Sequence, residues 1–171
     1  MKPSDNLLMV ADSEHDANML YAVGMFVPDP FIYLRLRGRQ YIVMSDLEVD
    51  RARRTAPHCR VLSLGKYQGR LRRAGIKSPG LAQVVREILR AKGVRRVLVP
   101  SSFPLGLATE LGRLRISVRT RAGNVFPQRE QKSPAEVKRI SAALVMAESR
   151  HGRRHAGAAR GQNLARPPTH P

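Results

Sequence analysis

The stretch that most narrows the fold lies between residues 78 and 120. SPGLAQVVREILRAKG places Leu81, Val84, Val85, Ile88 and Leu89 at i, i+3, i+4, i+7 and i+8, the apolar stripe of an amphipathic helix. Ser78 reads as its N-cap, Pro79 suits its first turn, and Gly93 suits the position just past its end. VRRVLVP follows at once as a buried-type strand. Pro104 to Gly112 reads as a short helix with Leu105, Ala108 and Leu111 on one face. ISVRT is a further strand, with Ile116, Val118 and Thr120 facing one way. Strands separated by helices require crossovers, so this half predicts a parallel sheet with helices packed on it.

The first half adds antiparallel pairs. FIYLRLRGRQYIVMS holds two apolar runs around Arg37-Gly38-Arg39, the pattern of a hairpin with glycine at its turn. Leu7 to Ala11 is a first strand. DSEHDAN is a polar loop, and the apolar Met19 to Met25 after it reads as strand. SDLEVDRARR opens a helix, with Ser45 as N-cap and Glu48 completing a capping box. Pro57 ends that helix, and CRVLSL is strand. The fold class is therefore α/β, a mixed β-sheet flanked by helices.

KSPAEVKRISAALVMAE closes the recognisable part. Ser133 caps, Pro134 is the first helical residue, and Glu136 completes the box. Val137, Ile140, Leu144 and Ala147 form a stripe that a helix this short must bury to be stable. Residues 149–171 then hold five Arg and no acid, and they read as a disordered basic tail.

The net charge is +18, of which +13 remains once that tail is set aside. Elsewhere arginines lie scattered in clusters of two or three, and aromatic residues do not interleave with them as base stacking requires. A solvated arginine-rich surface is the plain reading. The alternative is a basic module that binds nucleic acid through that surface and the tail. The single Cys59 excludes an internal disulfide or a thiolate cluster and points to a reducing, cytoplasmic setting. No apolar run is long enough to span a membrane.

Motifs that carry chemistry are sparse. Asp12, Glu14, His15 and Asp16 crowd one loop, but a calcium loop needs Gly and Glu where Ala17 and Val23 stand. His151 and His155 are four apart, with Gly152 between them and no carboxylate nearby. Ser101 and Ser102 sit between a strand and a helix; an N-cap explains them without a bound anion. Cys59 sits in a buried strand, where thiols are inert.

Three segments together resemble the N-terminal domain of the creatinase, prolidase and aminopeptidase P family. They are NMLYAVGM (18–25), RGRQYIVMSDLEVDRAR (37–53) and QKSPAEVKRISAALVMAE (131–148), in the family's order. The resemblance implies an α/β domain over 1–132, then a linker helix over 133–148 that leads into a "pita-bread" catalytic domain. In the intact family that second domain holds two divalent ions (manganese, cobalt or zinc type) on two Asp, one His and two Glu. A metal-bridging hydroxide there cleaves bonds next to proline. None of the five ligands has a counterpart here, so the expectation is no catalytic residue, no metal and no peptidase activity in this chain alone. The tail resembles GC-rich codons read out of frame, and truncation by a frameshift is the expectation for its origin. The family role implied is subunit contact, as a homodimer, or walling of an active site, with Asn18 and Tyr21 as substrate-facing candidates.

Overall fold

The computed structural model describes residues 6–132, 134 and 136–147. It divides into two compact units, Met1–Phe126 and Pro127–Pro171. The first is built on a six-stranded sheet. In chain order its elements are β1 (Leu7–Ala11), α1 (Ala17–Val23), β2 (Phe31–Leu36), β3 (Arg39–Met44), α2 (Val49–Thr55), β4 (Arg60–Ser63), α3 (Leu64–Arg73), α4 (Leu81–Ala91), β5 (Arg96–Val99), α5 (Leu105–Arg113) and β6 (Ser117–Thr120). The strand order is β4-β3-β2-β1-β5-β6. β1, β2 and β3 pair antiparallel, and β4, β5 and β6 join in parallel. The mixed α/β sheet that the sequence predicts is the one observed.

Side chains of successive strand residues point to opposite faces, and both faces are covered. Leu8, Val10, Ile32, Leu34, Tyr41 and Val43 point into a core shared with α3, α4 and α5. Leu7, Met9, Phe31, Tyr33, Ile42 and Met44 point into a second core shared with α1 and α2. This is why strands β1 to β3 are nearly continuous apolar runs. α3 and α4 carry the chain from edge strand β4 back across this sheet to β5, which pairs with β1.

Several local expectations are corrected. Met19 to Met25 is not strand. Asp16 accepts the backbone N–H groups of Asn18 and Met19, Gly24 closes the far end at φ +69°, and between them the chain is helix. Met19, Ala22 and Val23 then share the buried side. Ser45 does not cap α2, which begins at Val49. Residues 45–48 form a turn, closed by the Glu48 N–H donating to the Ser45 carbonyl at 3.0 Å. Asp46 instead accepts from the hydroxyl of Ser63, which itself caps α3 by accepting the Lys66 N–H. Gly65 leaves the room that this approach of Asp46 requires.

The helix after Ser78 starts later than its sequence signals indicate. Gly80 is the N-cap, and its N–H donates to Gln83 Oε1 at 3.0 Å. Ser101 and Ser102 cap nothing: α5 begins after Pro104 without a side-chain cap. Leu105 is 81% exposed, and Leu107 takes its place against the core with buried Leu111. α3 has no forerunner in the sequence reading. Its LGKYQGRLRR carries two glycines and four cations, and only Leu71 of it is buried.

In the second unit Pro127–Glu130 is a 3-10 turn and residues 136–147 are helical. Val137, Ile140 and Leu144 are exposed there. The Ser133 cap, the tail of residues 149–171 and the pair His151 and His155 lie outside the described residues.

Candidate functional site

The loop before α1 is held from within. Buried Ser13 donates its hydroxyl to the Met25 carbonyl at 2.7 Å and accepts the Val27 N–H at 2.8 Å. Asp12 accepts the His15 N–H at 2.7 Å and faces its ring Nδ1 at 3.0 Å. That backbone N–H, more than anything else, holds the Asp12 carboxyl below its ordinary range. Asp16 is committed to the first N–H groups of α1. Asp12 and Asp16 are therefore structural acceptors. Among the described residues no group of three or more His, Cys, Asp or Glu could hold a metal ion. The donors among the described residues do not match a dinuclear centre of two Asp, one His and two Glu.

α1 carries both substrate-facing candidates, one turn apart. Asn18 is half-buried, and Tyr21 is 46% exposed rather than core. The Tyr21 ring lies 5.2 Å from that of Phe126, tilted by 46°. Phe126 is buried and meets Tyr33 edge-on at 6.5 Å, while the Arg35 guanidinium lies 5.7 Å from its ring centre. Such stacked contacts fix ring orientation, each contributing about 0.5–1.5 kcal/mol beyond burial. Tyr33 donates its hydroxyl to Gln40 Oε1 at 2.8 Å, and burial raises its pKa. Cys59 lies 3.9 Å from the same oxygen, and burial pushes its thiol up to about 11. A thiol so disposed stays protonated and unreactive near neutrality. His58 Nε2 lies 2.9 Å from the Ala22 carbonyl and ties the segment before β4 to α1.

The arrangement is a partly aromatic surface patch, with Tyr21 as its exposed edge. The sequence marks Asn18 and Tyr21; it gives no sign of Phe126, which reaches Tyr21 from far downstream in the chain.

Comparison with known proteins is informative at the level of structure. No protein-family model matches the chain, and no curated protein matches it in sequence. Solved structures do match. An X-Pro aminopeptidase from Thermotoga maritima aligns at a TM-score of 0.64 and 14% identity, over 85% of this chain and 38% of that one. A prolidase from Pyrococcus horikoshii aligns at 0.61 and 19% identity, over 85% of this chain and 36% of that one. A proline dipeptidase from Streptococcus agalactiae aligns at 0.51 and 15% identity, over 76% of this chain and 88% of that one. At these identities the likeness establishes the fold, that of a domain found in structures of Xaa-Pro peptidases. The chain spans roughly a third of the length of the first two. No helix among the described residues is long and apolar enough to cross a membrane.

Proposed function

We infer that this α/β body is the counterpart of the N-terminal, non-catalytic domain of a Xaa-Pro peptidase. Its role is subunit contact, or walling of an active site whose metals another domain holds. The observation that carries this reading is the asymmetry of the structural matches: 85% of this chain is spanned against 38% and 36% of the two long peptidase chains. The third match, spanned over 88% of its own length, supports a body of this size as a unit. The exposed edge of Tyr21 and neighbouring Asn18 are the side chains that this reading turns toward substrate.

Two measurements on the full chain test it. Xaa-Pro dipeptides supplied with manganese or cobalt are expected to remain uncleaved, and turnover would refute the non-catalytic assignment. Sedimentation is expected to show a homodimer. A monomer at every concentration removes the subunit-contact role and leaves the walling role alone.

A further inference from the structure

The fold gathers arginines that the sequence scatters. Two adjoining hollows, the larger of about 620 Å³, open at the end of the sheet where β5 and β6 begin. Arg37 comes from the tip of the β2–β3 hairpin, Arg86 and Arg90 from α4, and Arg95 and Arg96 from the entry to β5. Arg113 and Arg115 come from the end of α5. No acid lines either hollow. Of these seven arginines, Arg90 alone pairs with an acid among the described residues, Glu87 at 3.3 Å. Arg90 and Arg113 also face the negative ends of their own helices, which accounts for two of the cations. The other five lie outside a last helical turn.

Backbone geometry singles out the same place. α3, α4 and α5 finish alike, with a bond spanning five residues: Ile76 N–H to the Leu71 carbonyl, Val94 to Leu89 and Ile116 to Leu111, at 3.0, 2.9 and 3.0 Å. This ending needs a left-handed residue, ordinarily glycine. Gly75 and Gly93 supply it for the first two, at φ +91° and +63°. α5 has Arg115 there, at φ +61°. The other non-glycine residue with positive φ among those described is Arg37, at φ +50° in the hairpin turn. Both strained residues are arginines, and both line this cleft. The hairpin turn itself calls for positive φ at Arg37, but nothing in the helix ending calls for arginine rather than glycine at 115, and such retained strain clusters at functional sites.

We propose that this cleft binds the phosphate backbone of double-stranded nucleic acid without reading its sequence. Guanidinium forks match phosphate oxygens in pairs. No aromatic ring lines the hollows, so there is no platform on which unpaired bases could stack. Of their apolar residues, Val94 and Ile116 are buried and Leu114 is half-buried against the core, which leaves little apolar surface to anchor a bilayer or to hold a peptide side chain. An open, concave, arginine-lined surface instead fits the ridge of a duplex, where contacts to phosphate alone give binding that falls steeply with salt. The cleft is independent of the peptidase-domain reading above.

The test is fluorescence anisotropy of labelled duplex DNA and duplex RNA with the full chain, across a salt series. Replacing Arg37, Arg95, Arg96 and Arg115 together by Gln is expected to weaken binding about 100-fold at low salt and to reduce the log–log salt slope by about 3.6. If that variant fails to fold, Arg95→Gln with Arg96→Gln is expected to reduce the slope by about 1.8. A comparison chain with Arg150, Arg153, Arg154, Arg160 and Arg166 replaced by Gln is expected to keep the cleft-dependent part. Tighter binding of DNA or of RNA identifies the natural source of the duplex. The proposal falls if the cleft variants bind like the parent or if the tail variant alone abolishes binding. It also falls if single strands bind as well as duplexes, or if polyglutamate or phosphatidylserine vesicles compete equally.

Discussion

The two faces of the sheet are packed with different materials. The face under α3, α4 and α5 is aliphatic: among its buried residues there is one aromatic, Tyr41, and no Met, Phe or Cys. The face under α1 and α2 holds Met9, Met19, Met25 and Met44 with Phe31, Tyr33, Phe126 and Cys59. Branched aliphatic side chains have few rotamers and interlock; methionine is unbranched and fills irregular gaps. One face therefore specifies the fold, and the other can adjust around the patch of Tyr21 and Phe126. The candidate substrate-facing residues sit on the adaptable side, while the arginine cleft opens beside helices of the rigid one.

Truncation should separate the faces most clearly. Large-to-small changes in cores cost about 2–5 kcal/mol, and the spread reflects how far the surroundings can collapse. Leu89→Ala, beneath α4, is expected near the top of that range. Met19→Ala, beneath α1, is expected near the bottom, because neighbouring methionines can move into the space. Urea unfolding of the two variants measures the difference. Equal losses would show that the methionine face is as firmly packed as the aliphatic one, and the contrast would be broken.

The same division governs what the sequence could disclose. α4 and β5 are legible because the aliphatic face writes itself as a stripe at helical spacing and a short apolar strand; α5 is legible as an element, but its stripe includes exposed Leu105 where Leu107 packs. The hairpin is legible because Arg37-Gly38 interrupts two apolar runs. α1 is misread because Met19 to Met25 is uniformly apolar, and its helical character rests on the Asp16 cap and Gly24 at its ends. α3 is missed because its sparse stripe of Leu64, Tyr67 and Leu71 lies among two glycines and four cations, and only Leu71 is fully buried. Tyr21 was visible as a residue, but its partner Phe126 is a contact across the chain that no local pattern records. The arginine cleft was invisible for the same reason. Its members come from a hairpin tip, α4, the entry to β5 and the end of α5, and only strand order brings these together.

A smaller effect comes from the rigid face itself. Two of its helices end on glycine and the third on Arg115 in the same left-handed conformation. A side chain there costs about 1–2 kcal/mol, partly offset because glycine loses more entropy on folding. Arg115→Gly is therefore expected to stabilise the protein by about 1 kcal/mol, read as a higher urea midpoint with an unchanged slope. A gain in stability together with weaker duplex binding would show strain retained for function. A loss of stability would mean that the arginine makes compensating contacts and that its φ is no penalty.

The smallest expected effect belongs to the adaptable face and appears at high pH. Burial raises the Cys59 thiol from 9.0 to about 11 and raises the Tyr33 phenol above its ordinary 10.0. Both are acids that the folded state holds protonated longer than the unfolded chain does. In that window the unfolded state binds fewer protons, so stability falls as pH rises. The thiol's contribution is fully present below pH 9 and is lost between 9 and about 11; the phenol's loss begins about one unit higher. Cys59 retains contact with solvent, so its share is modest. Cys59→Ala is expected to remove the earlier part of the alkaline decline and to leave the later part in place. Unfolding midpoints followed from pH 8 to 11 would show this as a delayed onset. The aliphatic face buries no thiol among its described residues, so Leu89→Ala should lower the whole curve without changing its shape. A changed shape in that variant, or an unchanged onset in Cys59→Ala, would place the alkaline weakness elsewhere than on the methionine face.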